Sequence, residues 1–385
     1  MSLDRETNAV YEAGAATYAA RDTRPEPGPP TALVAASADG PILDLGCGPG
    51  WHLPLLGDRA IGADPAAAML GQARATAPGR ALVRAAAGAL PVEPQSLGGV
   101  WACKSLQHLA AEHLPLALAD LHRSLPVGAP LAATLFAGEG SLVAHDGDLP
   151  GRRFSLWAPE VLTELLEGAG FTDVSCDLAP GPEQPDTTPT PPSARTVVTS
   201  DRATDSAPAP WTRLHLTATR ARTLPDTVGP DMRLLVCGLN PSLNAADAGV
   251  GFAGPGNRFW PALGQAGLLP EGVDRDPWGL LRHGKIGMTD MVKRATPRAA
   301  ELTTAEHRAG LGRLDRLCAL LEPESVVIVG LAGWRAAVDR KAKPGWQEGR
   351  LGPSPVHLMP STSGLNAGTP LATLVDHLRA ATAPR

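Results

Sequence analysis

Between residues 41 and 125, short apolar runs alternate with stretches whose apolar positions recur at helical spacing: PILDLGCGPG (41–50), RAIGAD (59–64), PAAAMLGQARATA (65–77), GGVWACKSL (98–106) and PLALADLHRSL (115–125). Apolar runs bounded by Gly and Pro read as buried strands, and the intervening spacing reads as helices, so this part predicts a doubly wound α/β domain. GFTDVSCDL (170–178) and WTRLHLTATRA (211–221) also read as strands. Residues 180–210 between them are rich in Pro, Thr and Ser and read as a long disordered loop inside a closing hairpin. The alternative makes that segment an interdomain linker and gives 211–221 to the next domain. A second α/β rhythm runs through MRLLVCGLNPS (232–242), WPALGQAGLL (260–269), EHRAGLGRLDRLCALLE (306–322), SVVIVG (325–330) and PVHLMPS (355–361). The expected organisation is a domain over 1–222, a linker over 223–230 and a second domain over 231–385, and no repeat relates the two.

Length agrees, since 385 residues at 43% hydrophobic suffice for two cores. No apolar run reaches the length of a membrane span, and the first thirty residues lack the basic start and apolar stretch of a secretory signal. A cytoplasmic protein without membrane association is expected. Cys47, Cys103, Cys176, Cys237 and Cys318 are scattered without metal-ligand spacing and read as reduced core thiols, so no metal is expected. Charge is unevenly shared. Residues 231–385 carry 18 basic against 14 acidic side chains, whereas 1–230 carry 16 against 25. Any nucleic-acid footprint therefore belongs to the second domain.

Asp44-Leu45-Gly46-Cys47-Gly48-Pro49-Gly50 follows the apolar run Pro41-Ile42-Leu43, where a Rossmann-like sheet opens toward its first helix. A dinucleotide fingerprint needs Gly at position 51, which is Trp51, and the third Gly falls one residue early. The D-x-G-x-G-x-G spacing instead resembles motif I of class I S-adenosylmethionine-dependent methyltransferases, over roughly residues 1–178. The resemblance implies that Asp44, Gly46, Gly48 and Gly50 form the S-adenosylmethionine cradle. It also implies that Asp64, ending the next strand, binds both ribose hydroxyls. The segment Ser105-Leu106-Gln107-His108-Leu109 is placed like the one after the fourth strand, with His108 a weak candidate base. One departure stands out: the Asp expected before Leu90-Pro91 is replaced by Ala85-Ala86-Ala87-Gly88-Ala89.

Four blocks mark the second domain: Gly238-Leu239-Asn240-Pro241-Ser242, then Gly251-Phe252-Ala253-Gly254-Pro255-Gly256-Asn257-Arg258-Phe259-Trp260, then Gly287 to Thr296, then Met359-Pro360-Ser361-Thr362-Ser363-Gly364-Leu365-Asn366. In this order they resemble the mismatch-specific uracil/thymine DNA glycosylases of the uracil-DNA glycosylase superfamily, over about residues 231–382. Breaking the C1′–N1 bond of a nucleoside builds positive charge on the sugar and negative charge on the base, so both must be stabilised and water supplied. The resemblance implies that Asn240 orients that water. It places Gly238, Leu239, Ser242, Phe252 and Asp290 around the extruded base, with Phe252 stacking on it. It makes Leu365 the wedge that fills the vacated stack, with Ser361, Ser363, Gly364 and Asn366 meeting DNA. Core packing is the alternative for Phe252, and a turn before the last helix is the alternative for the wedge loop. Ser242 stands where relatives have Gly or a methyl-blocking Tyr, so thymine still has room. Asp290 stands where they have Asn or Lys, and a role in base reading or as a structural cap is left open. Lys293 and Arg294 are candidate phosphate contacts.

The expected architecture is α/β in two domains: an N-terminal Rossmann-like class I methyltransferase fold and a C-terminal uracil-DNA glycosylase-like α/β/α fold. The implied partners are S-adenosylmethionine, an unassigned methyl acceptor, and double-stranded DNA bearing a G·U or G·T mismatch, with no cofactor for the glycosylase. No Lys is placed for a Schiff base, so strand cleavage is left to other enzymes. The alternative is a small-molecule methyltransferase carrying a DNA-binding, catalytically weak glycosylase-like domain.

Overall fold

The computed structural model describes residues 4–21, 25–179, 212–366 and 368–383, and the loop expected over 180–210 lies outside them. The chain divides into two compact units, residues 1–166 with 171–221, and residues 222–385 with 167–170.

The first unit holds α1 (Arg5–Ala19), α2 (Gly28–Ala36), β1 (Ile42–Leu45), β2 (Ala60–Asp64), α3 (Ala67–Thr76), β3 (Ala81–Arg84), β4 (Gly99–Cys103), α4 (Leu114–Ser124), β5 (Pro130–Phe136), β6 (Ser141–Val143), β7 (Arg153–Ser155), α5 (Pro159–Gly168), β8 (Phe171–Ala179) and β9 (Arg213–Arg220). Its seven-stranded sheet has the order β3-β2-β1-β4-β5-β9-β8. The first five strands are parallel, and β9 runs antiparallel to both β5 and β8. The order reverses between β1 and β4, which opens a crevice at their carboxyl ends. Every residue of β1 is buried, as expected for a strand flanked by parallel neighbours and covered on both faces. Ile42, Leu53, Leu56 and Trp101 belong to one core cluster behind the crevice.

The second unit holds β10 (Leu234–Gly238), α6 (Leu243–Ala248), α7 (Phe259–Gln265), α8 (Pro277–Gly284), β11 (Ile286–Asp290), α9 (Thr304–Leu321), β12 (Val326–Val329), α10 (Ala332–Ala337), β13 (Gly345–Leu351), β14 (Ser354–Met359) and α11 (Leu371–Thr382). The sheet order is β11-β10-β12-β14-β13. Parallel register pairs Gly238 with Asp290, Cys237 with Ile328 and Val329 with Met359, so four strands end at one edge. Edge strand β13 runs antiparallel to β14, with Gly345 opposite Leu358, so it begins at that same edge. Local chemistry sets the helix starts. Thr303 and Glu306 form a reciprocal capping box on α9, and Asp276 caps α8 ahead of Pro277. Leu234, Val236, Phe259, Ile286, Val327 and Leu378 belong to one buried cluster.

Candidate active sites

In the first unit a cavity of about 290 Å³ opens along the loops that follow β1, β2 and β4, with Gly46, Gly48, Asp64, Met69, Lys104 and Ser105 among its walls. Gly46, Gly48 and Gly50 have φ of 70°, 52° and 83°, in the left-handed region where a side chain is strained. A Cβ on Gly46 would also collide with Ser105. Asp64 ties this loop to β2: its Oδ2 accepts from the Gly48 N–H and its Oδ1 from the Ala66 N–H, each at 2.9 Å. Burial outweighs those two hydrogen bonds and pushes the carboxyl up to about 6. Asp44 is buried, its Oδ2 has no partner, and burial beside Asp64 pushes it up to about 8. Gly46, Gly48 and Asp64 thus reach the cavity wall, while Asp44 and Gly50 are not among its lining residues. Gly50 packs instead on Ala73 of α3.

His108 is fully engaged: Tyr11 Oη lies 2.9 Å from its Nε2, and its Nδ1 lies 2.6 Å from the Arg153 carbonyl. With Nδ1–H donating to that carbonyl, Nε2 accepts from the tyrosine. Burial lowers the imidazole to about 4, so it is neutral and structurally tied rather than a free base. Sequence reasoning missed the aromatic wall. Tyr11 and Tyr18 are the only tyrosines in the chain and lie seven residues apart on α1, close to two helical turns. Tyr18 stacks on Trp51 with centroids 5.2 Å apart, and Tyr11 meets Tyr18 edge-on at 5.6 Å. That spacing was the available signal.

In the second unit Asn240 follows β10 by two residues, at the edge where four strands end. Its Nδ2 has Thr296 Oγ1 at 2.8 Å, the Arg294 carbonyl at 3.0 Å and the Pro241 carbonyl at 3.1 Å as acceptors, which share its two hydrogens. Thr296 Oγ1 in turn donates to the Arg298 carbonyl at 3.0 Å. These acceptors fix the amide's orientation, and Oδ1 is left as its hydrogen-bond acceptor. Thr296 was visible in the sequence only as the end of a block. Its role depends on a hydrogen bond spanning 56 positions.

Gly238 ends β10 opposite Asp290, and a Cβ there would collide with Asp290 Oδ1 and touch Phe252 Cζ. These three residues therefore lie side by side at the carboxyl end of β10. Phe252 has φ of 58°, a conformation a bulky residue adopts only when its surroundings enforce it. One ring face stacks on buried Phe259 at 4.2 Å, so that face packs on the core while the residue as a whole stays half-buried. The Gly238 and Leu239 carbonyls accept from the N–H groups of Met291 and Val292, which ties the turn after β10 to the turn after β11. Ser242 is exposed and caps α6 through the Ala245 N–H at 3.2 Å. Burial, with a smaller push from Asp226, raises Asp290 to about 6 against the pull of Lys293 and Arg313.

The two suggested phosphate contacts are occupied within the chain. Lys293 Nζ lies 2.8 Å from buried Asp226, which also accepts from Arg313 and Thr289. Burial opposes the ionised Asp226, but the two cations hold its carboxyl below the usual range. Lys293 is therefore corrected from a DNA contact to a member of a buried ion cluster. Arg294 pairs with Glu306 at 2.6 Å on the surface. At the last block, Leu365 is 98% exposed. Its loop is stapled from below: Arg258 donates to the carbonyls of Thr369 and Asn366, and Asn366 Nδ2 donates to the Ser361 carbonyl at 2.8 Å. Ser361 and Ser363 accept from the backbone N–H groups of Ser363 and Leu365. A Cβ on Gly364 would press on the Gly256 carbonyl. The side chains of Asn366, Ser361 and Ser363 thus shape a loop that projects a bare leucine, and Arg258 is the support that sequence reasoning left without a role.

Two family models match. Residues 225–380 match the uracil DNA glycosylase superfamily, and residues 42–128 match a methyltransferase domain. Among solved structures, similarity is found to 1,6-didemethyltoxoflavin-N1-methyltransferase from Burkholderia thailandensis, at 20% identity and a TM-score of 0.40, covering 57% of this chain and 92% of that one. A SAM-dependent methyltransferase from Methanosarcina mazei matches at 15% identity and 0.39, covering 52% and 99%. An S-adenosylmethionine-dependent methyltransferase from Mesorhizobium loti matches at 17% identity and 0.34, covering 49% and 96%. No helix among the described residues is long and apolar enough to cross a membrane.

Proposed function

We propose, from the premise that this chain joins a methyltransferase domain at residues 42–128 to a uracil DNA glycosylase superfamily domain at residues 225–380, that its C-terminal unit hydrolyses the N-glycosidic bond of uracil, and of thymine, mispaired with guanine in duplex DNA. The observation that carries this reading is Asn240. Three acceptors hold its amide nitrogen, which leaves the oxygen to accept from a water and hold it under C1′. As the C1′–N1 bond breaks, the bonding pair leaves with the base, the water oxygen bonds to C1′, and its proton passes to solvent. Leu365 enters the vacated stack, and Phe252 offers its partly exposed ring to the extruded base, with stacking worth about 1–3 kcal/mol. The product is an abasic site for base excision repair.

The test is single-turnover base release from G·U, G·T and A·U duplexes. Release of uracil from G·U is expected, and its absence where duplex is still bound sinks the reading. Thr296→Val is expected to slow release by about tenfold to a hundredfold, because one misplaced amide costs on that order, while Thr296→Ser restores it. Equal losses in the two variants would mean that the hydroxyl does not orient Asn240.

For the N-terminal unit we infer S-adenosylmethionine binding. The glycine cradle fits it, with Gly46 and Gly48 allowing close backbone approach and Asp64 taking the ribose diol. Bound there, the cofactor supplies an electrophilic methyl group. Asp64→Ala is expected to weaken cofactor binding by about tenfold to a hundredfold, as for a lost hydrogen bond to a charged group. Titration calorimetry reads it, and unchanged affinity would remove Asp64 from the site. Wild-type affinity should also fall as pH drops through about 6, where Asp64 becomes protonated.

A further inference from the structure

We propose that the loop between α10 and β13 is a second DNA-contacting surface, on which Arg340, Lys341 and Lys343 grip duplex phosphates beside the wedge loop; this rests on the glycosylase reading above. Register gives the placement. Gly345 pairs with Leu358 and Trp346 with His357, so the chain just before Gly345 lies at the sheet edge from which β14 continues into Ser361–Asn366. At up to about 3.4 Å per residue, Lys343 and Ser361 lie only a few residues' reach from that paired position.

Charge gives the partner. Among the described residues Arg340, Lys341 and Lys343 make no ion pair, and all three are exposed. Lys293, Arg294, Arg298 and Arg313, which lie closer to Asn240 in sequence, are each paired to an acid. Two of the chain's five lysines fall within this run.

The loop is also built to present them. Ala342 is buried between the two lysines, its carbonyl accepts from Arg335 Nε at 2.9 Å, and its N–H donates to the Asp339 carbonyl at 3.1 Å. Asp339 Oδ1 accepts from the Lys341 N–H at 2.9 Å, and Gln347 Nε2 donates to the Lys343 carbonyl at 3.0 Å. A backbone fixed this way turns the lysine side chains outward at little ordering cost on binding. Three exposed cations beside a wedge suit a polyphosphate backbone, which Lys and Arg neutralise without reading sequence.

The experiment compares the intact chain with the triple variant Arg340→Ala/Lys341→Ala/Lys343→Ala, with Arg282→Ala as a control. Arg282 is an exposed cation on α8, which leads into the opposite end of β11. Equilibrium binding to G·U and fully matched duplexes is followed across a salt series. The slope of log affinity against log salt should fall by about 2.7 in the triple variant, about 0.9 for each phosphate no longer neutralised, equally on both duplexes. Arg282→Ala should leave it unchanged, and base release at saturating protein should keep its rate. An unchanged slope in the triple variant, an equal drop in the control, or a drop confined to the G·U duplex overturns this surface. Base release with an unchanged slope rejects the surface and keeps the glycosylase. The expected drop without base release keeps the surface and rejects the glycosylase.

Discussion

Replacing Asn240 by Ala is expected to slow single-turnover uracil release from a G·U duplex by about 10²–10³-fold, with duplex affinity changed by no more than a few fold. The size follows from what the side chain does. An amide cannot deprotonate water, so its whole contribution is positional, and that position is set by three acceptors gathered around one nitrogen. Removing the amide frees the water and leaves Thr296 Oγ1 and the Arg294 carbonyl without the donor they share. Asn240 is half-buried and meets those partners at a strand end, so the fold should tolerate Ala with little loss of thermal midpoint. Asn240→Asp is not expected to rescue release. A carboxylate there turns an oxygen toward the Pro241 and Arg294 carbonyls, which attract the amide hydrogens and repel the acid. Release surviving in Asn240→Ala within tenfold of the intact protein would show that the water is held elsewhere.

The distribution of legible and illegible features has a common physical basis. Asn240, Phe252 and Leu365 lie in loops that Gly, Pro and Asn punctuate, and such loops announce themselves over a few residues. β10 and β12 announce themselves too, since a strand buried on both faces is a near-continuous apolar run, and β1 does so with Asp44 as its one polar interruption. What escaped depends on partners distant in sequence. β13 is a polar edge strand, GWQEGRL, whose identity comes from pairing with β14 rather than from periodicity. Thr296, Arg258 and Asp226 are ordinary residues until the fold brings Asn240, Asn366 and Arg313 to them. Lys293 was misassigned for the same reason, because exposure is the default expectation for lysine and only the fold reveals its buried acid. Helix α1 was missed because its 15 residues are rich in small side chains and only Thr7 and Ala15 are buried, so no apolar stripe marks it.

Asp290→Asn should produce the second large effect, and its sign depends on pH. In the intact protein the carboxyl stands beside Gly238 and Phe252, raised to about 6 mainly by burial. Above that value it is ionised and opposes the negative charge that grows on a departing uracil. Below it, the protonated acid donates to a base oxygen instead. Uracil release should therefore rise as pH falls from 8 toward 6, by up to about tenfold per unit, and level off below. Asn supplies a neutral donor at every pH, so Asp290→Asn should flatten the profile and exceed the intact protein at pH 8 by up to about a hundredfold. Stability gives an independent readout of the same group. An acid with a raised folded pKa binds its proton more tightly when folded, so its contribution falls as pH rises from the unfolded value through about 6. Asp290→Asn should accordingly raise the thermal midpoint at pH 8 and leave it nearly unchanged at pH 4. A stabilised variant whose release profile still rises toward acid would separate the two roles: the carboxyl would be a buried cost to the fold, and the group titrating in catalysis would lie elsewhere. A flat profile in the intact protein, or slower release by Asp290→Asn at pH 8, would remove Asp290 from the charge balance of base departure altogether.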